Sequence, residues 1–187
     1  MKYPKLVQVE DNGRPIGPIT WEEAHGLCSG HFQNGKLHAV VHNLIFYDLM
    51  EQQILLSLRS KNILFPGLWS IASAGNVDWI DEQNRAENIE ETAYRELHEE
   101  LFHKKELPDE IKLIRVRSFI YQAGLRDKEY CTILKGYYKG PFFPYKQEVE
   151  DAKFFDVEFL KRDLLVRPSI YTPGLASYLK DYFGELE

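Results

Sequence analysis

The sequence predicts a mixed α/β fold built as one domain, and three observations predict it. Apolar runs rich in β-branched and aromatic residues recur along the chain between turn residues, the pattern of strands. Among them lies one long segment in which Ile89, Ala93, Leu97 and Leu101 repeat at every fourth position, the buried stripe of a helix. A further helical segment, residues 173–183, follows the last strand candidate. Strands around one central helix, with another helix after them, give a mixed sheet carrying helices on its faces. A length of 187 residues suits a single domain over 1–187 with a sizeable core.

Each element has its own signal. Asp11-Asn12-Gly13-Arg14 is a turn between two short strands. Thr20-Trp21-Glu22-Glu23 reads as a helix start, with Thr20 as cap and Glu23 three residues on. Residues 37–47 and 53–59 are two apolar runs separated by 48–51, a hairpin or two neighbouring strands. Phe65-Pro66-Gly67-Leu68-Trp69 is a turn leading into a short strand. The central helix is expected over about 87–102, with Glu87, Glu90 and Glu91 in its first turn, where the helix dipole favours acids. Further strands are expected at 111–121, 130–138 and 152–155.

Composition narrows the function classes. Hydrophobic residues make up 44% and charged residues 28%, as in an ordinary globular protein, and the 11 Tyr and 11 Phe are expected in the core. The net charge of −6 disfavours holding long nucleic acid by its phosphates, and an anionic substrate would need a metal or a local basic patch. Cys28 and Cys131 have no paired spacing, so neither a disulfide framework nor a zinc knuckle is expected. Residues 1–14 lack a signal-peptide core, and the apolar run 40–47 is interrupted by His42 and Asn43. The expected location is the cytoplasm, with no membrane partner.

The chemistry is concentrated in Arg95-Glu96-Leu97-His98-Glu99-Glu100. On a helix Glu96 lies beside Glu99 and Glu100, so three carboxylates share a face, expected opposite the apolar stripe. Like charges at this spacing cost roughly 0.2–0.5 kcal/mol per pair, a cost that a divalent cation removes. Hard oxygen donors suit Mg²⁺ or Mn²⁺ rather than zinc. Arg95, four residues from both Glu91 and Glu99, can hold a carboxylate in place. Taken alone, the cluster is read equally well as a solvated acidic face.

Read with its flank, the string resembles the Nudix box, Gly-x5-Glu-x7-Arg-Glu-(apolar)-x-Glu-Glu-x-Gly-(apolar). The resemblance implies an α/β/α Nudix sandwich with a mixed sheet and a central catalytic helix. It also implies metal-dependent attack of water on a diphosphate. Glu96, Glu99 and Glu100 match the metal-binding glutamates, Glu87 the glutamate at the front of the box, and Arg95 the arginine that orients its neighbours. Two positions depart from the pattern. Asp81 stands at the box glycine, and Gly75 in Ala74-Gly75-Asn76-Val77-Asp78 looks like that glycine turn, displaced by a six-residue insertion within 79–86. Phe102 replaces the late glycine, which would end the helix in a left-handed turn.

Most of residues 6–156 further resembles the branch of isopentenyl diphosphate isomerase and related Nudix hydrolases. The matching pieces are Gly13-Arg14-Pro15-Ile16-Gly17, Ala24-His25, Leu37-His38, Leu56-x-Leu58-Arg59, Phe65-Pro66-Gly67-Leu68-Trp69-Ser70, Glu129-Tyr130-Cys131 and Glu148-Val149. In the isomerases a reactive cysteine follows the Trp-containing strand. Here Ala74 stands in its place, and Asn76 stands where a metal-binding histidine is expected. Alanine cannot deliver a proton to an alkene, so the expectation is a hydrolase. An isomerase and a non-catalytic nucleotide-binding Nudix protein are the alternatives.

The expected reaction is water attack at phosphorus in a small-molecule diphosphate, such as a nucleoside diphosphate derivative, with Mg²⁺ or Mn²⁺ held by Glu96, Glu99 and Glu100. Glu96 is the candidate general base within the box; Glu148 and Glu129 are candidates outside it. Arg59 and Lys61 are candidate phosphate grips. His25 and His38 are assigned either a structural role or a share in metal or phosphate binding. His98 is expected in solvent or in packing, and Cys131 in the core. Trp79, Asp81, Glu82 and Arg85 of the insertion either contact the leaving group or form a surface excursion. The pattern leaves the oligomeric state open.

Overall fold

The computed structural model describes residues 4–27, 34–123 and 127–184; Cys28 lies outside them. In chain order the elements begin with β1 (Leu6–Val9), β2 (Pro15–Ile19), α1 (Trp21–Ala24), β3 (His38–Phe46) and β4 (Gln53–Arg59). They continue with β5 (Trp69–Ile71), β6 (Ser73–Asn76), β7 (Trp79–Ile80), β8 (Arg85–Ala86) and α2 (Ile89–Leu101). The last five are β9 (Ile114–Ala123), β10 (Asp127–Tyr137), β11 (Val149–Asp156), α3 (Val157–Val166) and α4 (Leu175–Phe183). This is the mixed α/β fold that the patterning predicts. Two compact units share the chain: Met1–Val41 with Gly75–Ala93 and Arg117–Thr132, and His42–Ala74 with Tyr94–Val116 and Ile133–Glu187.

In the first unit β1 and β2 pair antiparallel, Leu6 opposite Ile19, and β1 also meets the start of β3 at Gln8 and His38. The predicted turn joins β1 to β2: Gly13 N–H donates to the Glu10 carbonyl at 2.8 Å, and Glu10 N–H to the Arg14 carbonyl at 2.9 Å. Gly13 has φ +82°, and a Cβ there would collide with the Tyr130 ring, so only glycine fits. Thr20 and Glu23 form the expected capping box at the start of α1. Leu6, Ile19 and Ala24, with Trp21 against them, make the small core beneath it. The insertion is folded: β7 and β8 pair antiparallel around a short 3₁₀ turn, Asp81–Gln83. Lys5 binds Asp81 at 2.9 Å, and Trp79 N–H donates to the Lys5 carbonyl at 2.8 Å.

The second unit is organised on β4. It pairs antiparallel with β11, from Val149 opposite Arg59 to Asp156 opposite Gln53. It also pairs antiparallel with β5, Leu58 opposite Trp69, and with the end of β3 at Phe46 and Ile54. Ile45, Leu55, Ala72, Leu97, Leu101, Phe102, Ile111 and Val149 form one buried cluster. Burying side chains such as Leu97 and Leu101 contributes about 1.5–3 kcal/mol each, which fixes α2 on this sheet. Helix α4 is anchored by Leu175 and Leu179, both fully buried. The Tyr182 hydroxyl donates to Glu51 at 2.6 Å, and Glu51 also accepts from Lys135 at 2.7 Å and Tyr137 at 2.6 Å.

Helix α3 was not expected from the pattern. Its signals are present: Asp156 accepts from the Phe159 N–H at 2.7 Å as an N-cap, and Val157, Leu160 and Leu164 are buried. The strand before it, β11, is longer than the expected 152–155 and runs up to the cap residue Asp156 itself. Among the described residues no helix is long and apolar enough to cross a membrane.

Candidate active site

Helix α2 starts two residues later than its acid-rich front suggests. Asn88 is its cap: Asn88 Oδ1 accepts from the Glu91 N–H at 2.8 Å, and Glu91 Oε2 accepts from the Asn88 N–H at 3.0 Å. This reciprocal cap satisfies two orphan donors, so Glu87 lies before the helix and not in its first turn. Glu87 accepts from the Thr92 hydroxyl at 2.8 Å, and Arg85 binds Glu91 at 3.0 Å. All of these residues belong to the first unit. Arg85 and Asp81, two of the four insertion residues expected to face a leaving group, are thus already paired within their own unit.

The box proper lies in the second unit. Arg95 Nη1 sits 2.6 Å from Glu96 and 3.4 Å from Glu99. Glu99 is exposed and Glu96 half-buried. Glu100 departs from the expected solvent-facing acidic face. It is buried, because a step of three residues from Leu97 returns to the apolar side of the helix. Its Oε1 accepts from the Ala74 N–H at 3.2 Å. Burial pushes the Glu100 carboxyl well above the usual carboxylate range, and the nearby Glu96 charge adds to this.

Phe102 explains how the helix ends without its glycine. Its ring is fully buried, with ring centroids 5.7 Å from Tyr138 and 5.8 Å from Phe142. The carbonyls left open at the helix end are met by a neighbouring segment. Phe143 N–H donates to Leu101 at 2.8 Å and Tyr145 N–H donates to Glu100 at 2.9 Å. The left-handed residue comes only at Lys104, φ +60°. The same segment carries Glu148, whose N–H donates to the Tyr145 carbonyl at 2.9 Å. His103 stacks on Tyr145 with ring centroids 4.1 Å apart. No sequence signal marked this stack.

Arg59, at the end of β4, completes the group. It is partly buried, and its Nε donates to the Leu64 carbonyl at 2.6 Å. Burial lowers its pKa, and attraction to Glu100 and Glu148 opposes that. The Glu148 carboxyl is raised by burial and by the Glu99 charge, against the pull of Arg59 and His103. Ser60 ties the two loops: its N–H donates to the Glu148 carbonyl at 2.9 Å and its hydroxyl donates to the Gln147 carbonyl. Arg95 thus contacts Glu96 and Glu99, Glu100 feels the charges of Glu96, Glu148 and Arg59, and Glu148 those of Glu99 and Arg59. Among the described residues, the three box carboxylates are not among the groups whose ligand atoms close to within 4.8 Å of one another. Lys61 stays exposed on the adjoining loop, and His98, also exposed, has Nε2 2.9 Å from the Lys105 carbonyl. The donor set Glu96, Glu99 and Glu100 is all oxygen, as a hard divalent cation prefers. A cation beside Glu100 would also return this buried carboxyl to its charged form.

The other expected residues fall in the first unit. Gly75 lies within strand β6 with an ordinary φ, not in a glycine turn, because Val77 N–H continues the pairing to the Ala39 carbonyl at 3.0 Å. Glu129 is raised to about 7 by burial and by the Asp127 charge. Asp127, which the sequence reading missed, stands with His25 and His38, and their ligand atoms all lie within 4.8 Å of one another. His25 Nδ1 is 3.5 Å from Asp127, and the buried His38 Nε2 and Asp127 Oδ1 have no hydrogen-bond partner. Burial lowers the His38 pKa, keeping the imidazole in the neutral form that binds metals. This mixed nitrogen and oxygen set can hold a borderline divalent metal. Cys131 is buried, as expected for a core thiol.

Comparison with known proteins finds a family model and a fold in common. The family model described as the NUDIX domain matches residues 36–172. The Isopentenyl-diphosphate Delta-isomerase 1 of Aromatoleum aromaticum (strain DSM 19018 / LMG 30748 / EbN1) is 27% identical over 172 residues, covering 90% of this chain and 86% of that protein. The crystal structure of DR0079 from Deinococcus radiodurans superposes with a TM-score of 0.71 at 17% identity, covering 95% of this chain and 98% of that one. The NUDIX domain of Shewanella oneidensis NrtR, solved with ADP ribose, gives 0.54 at 21% identity, covering 80% and 88%.

Proposed function

The chain belongs to the Nudix family and is a pyrophosphohydrolase of that family, and on this premise we propose that it cleaves an organic diphosphate by water attack at phosphorus, using Mg²⁺ or Mn²⁺ held by Glu96, Glu99 and Glu100. The observation that supports the reading is Arg95 lying 2.6 Å from Glu96 and 3.4 Å from Glu99 on the helix that also carries the buried Glu100, held by the Ala74 N–H at 3.2 Å. The bound cation supplies charge neutralisation and a more acidic water. Arg95 holds Glu96 and Glu99 in place. Glu148, raised by burial and by Glu99, is suited to accept the proton of the attacking water, with Glu96 as the candidate inside the box. Arg59 offers its remaining guanidinium edge to a phosphate oxygen, and Lys61 offers a second positive charge. A panel of nucleoside diphosphate derivatives and isoprenoid diphosphates, scored for phosphate release with either metal, tests the proposal. Release that depends on metal supports it; no release from any member argues for a binding protein.

A second reading, an isopentenyl diphosphate isomerase, is favoured by two observations: the isomerase-named relative and the His25–His38–Asp127 cluster. Against it, Ala74 has no proton to give where a cysteine is expected, and its backbone N–H is engaged by Glu100. Isopentenyl diphosphate is therefore expected to yield no dimethylallyl diphosphate.

A further inference from the structure

The loop of residues 60–68 is held on the candidate site at both ends. At its start, Ser60 donates to the Glu148 and Gln147 carbonyls, and Asn62 N–H donates back to the Ser60 hydroxyl at 3.3 Å. At its end, Gly67 N–H donates to the Arg59 carbonyl at 2.9 Å, and Arg59 N–H donates to the Leu68 carbonyl at 3.0 Å. Between them the Leu64 carbonyl accepts from Arg59 Nε at 2.6 Å. Leu64 is thus hydrogen-bonded through its carbonyl to the guanidinium that the Glu100 and Glu148 charges attract.

What this loop displays is apolar. Leu64 is 70% exposed and Phe65 40% exposed. Phe65 also holds φ +57°, a left-handed conformation that a bulky residue adopts only at a cost. Among the described residues no ring packs on Phe65. Lys61, in the same loop, has no ion pair among the described residues. An exposed apolar pair on a strained, tethered loop beside a phosphate-sized cationic group has the composition of a ligand wall.

We propose that Leu64 and Phe65 form the wall against which the non-phosphate group of the substrate lies, so that the site takes an organic diphosphate with an apolar face next to its phosphates. This rests on the diphosphate reading above and names the class of group attached to it. A nucleobase and a prenyl chain share that chemistry; the flat Phe65 ring can stack on the first and Leu64 can pack on the second.

The test is calorimetric and needs no turnover. The full chain is titrated, with Mg²⁺, with methylenediphosphonate, with adenosine α,β-methylene diphosphate and with a geranyl methylenediphosphonate. At least one of the two organic analogues should bind about tenfold more tightly than bare methylenediphosphonate, the scale of one aromatic stack. The stronger arm tells base from prenyl. Phe65→Gly and Leu64→Ser together should cut the preference to about twofold. Phe65→Gly alone should not lower the melting temperature, since glycine tolerates the left-handed backbone. Equal binding of all three probes by the parent chain, or an undiminished preference in the variant, overturns the inference. If the preference follows the wall while no substrate releases phosphate, the hydrolase reading fails and this one stands.

Discussion

Glu100 carries most of the residue-scale account. A buried carboxylate beside Glu96, gripped by one backbone N–H, has little reason to persist in a helix unless a cation or a proton compensates it. Glu99→Gln or Glu100→Gln should therefore lower turnover by two orders of magnitude or more, a scale of about 3 kcal/mol, while the circular dichroism spectrum is unchanged. An unaltered rate in either variant would contradict the metal assignment. Glu129 gives a pH prediction. Its carboxyl is raised from 4.5 to about 7 in the folded chain. Between those values the folded state keeps a proton that the unfolded state has lost, so its contribution to stability falls as pH rises through that window. In chelator, the melting temperature of Glu129→Gln should gain on that of the parent between pH 5 and 8; parallel curves would refute the shift. Identity and spacing made Arg95, Glu96, Glu99 and Glu100 legible in the sequence. The inward turn of Glu100 was not, because three like carboxylates read as one exposed face until Leu97 and Leu101 fix which side is buried.

At the scale of elements, apolar runs of strand formers and the residues between them placed β4 to the residue and β3 within one. Capping decided what periodicity could not. The Asn88–Glu91 pair starts α2 after Glu87, and Asp156 starts α3 where a strand seemed to end. Asn88→Ala should destabilise the chain by about 1 kcal/mol, read as a lower urea midpoint, with kcat nearly unchanged. A midpoint equal to the parent's would mean that the cap contributes nothing. The end of α2 was hidden for a different reason. The segment that satisfies the Glu100 and Leu101 carbonyls lies about forty residues downstream, and no local pattern announces a long-range partner. The insertion was legible as extra length only. Its hairpin, with Asp81 and Arg85 paired to Lys5 and Glu91, is a folded structure rather than a loose excursion.

On the scale of the whole molecule, the question is which of two chemistries a Nudix chain with an isomerase-like relative performs. Fold alone does not decide between them. The complete glutamate set and Ala74 at the expected cysteine favour hydrolysis, while His25, His38 and Asp127 keep a second metal-competent cluster in the first unit. The net charge of −6 makes a cation at the box useful for bringing any diphosphate to the site. The most direct measurement follows the phosphorus and the alkene together. Isopentenyl diphosphate and ADP-ribose are incubated in turn with the chain and Mg²⁺ and followed by ³¹P and ¹H NMR, with Glu99→Gln as control. The account predicts that diphosphate resonances of at least one substrate give way to monophosphate, that Glu99→Gln abolishes this, and that the alkene protons of any intact isopentenyl diphosphate do not move. Conversion of isopentenyl diphosphate to dimethylallyl diphosphate, with its phosphorus resonances preserved, would contradict it.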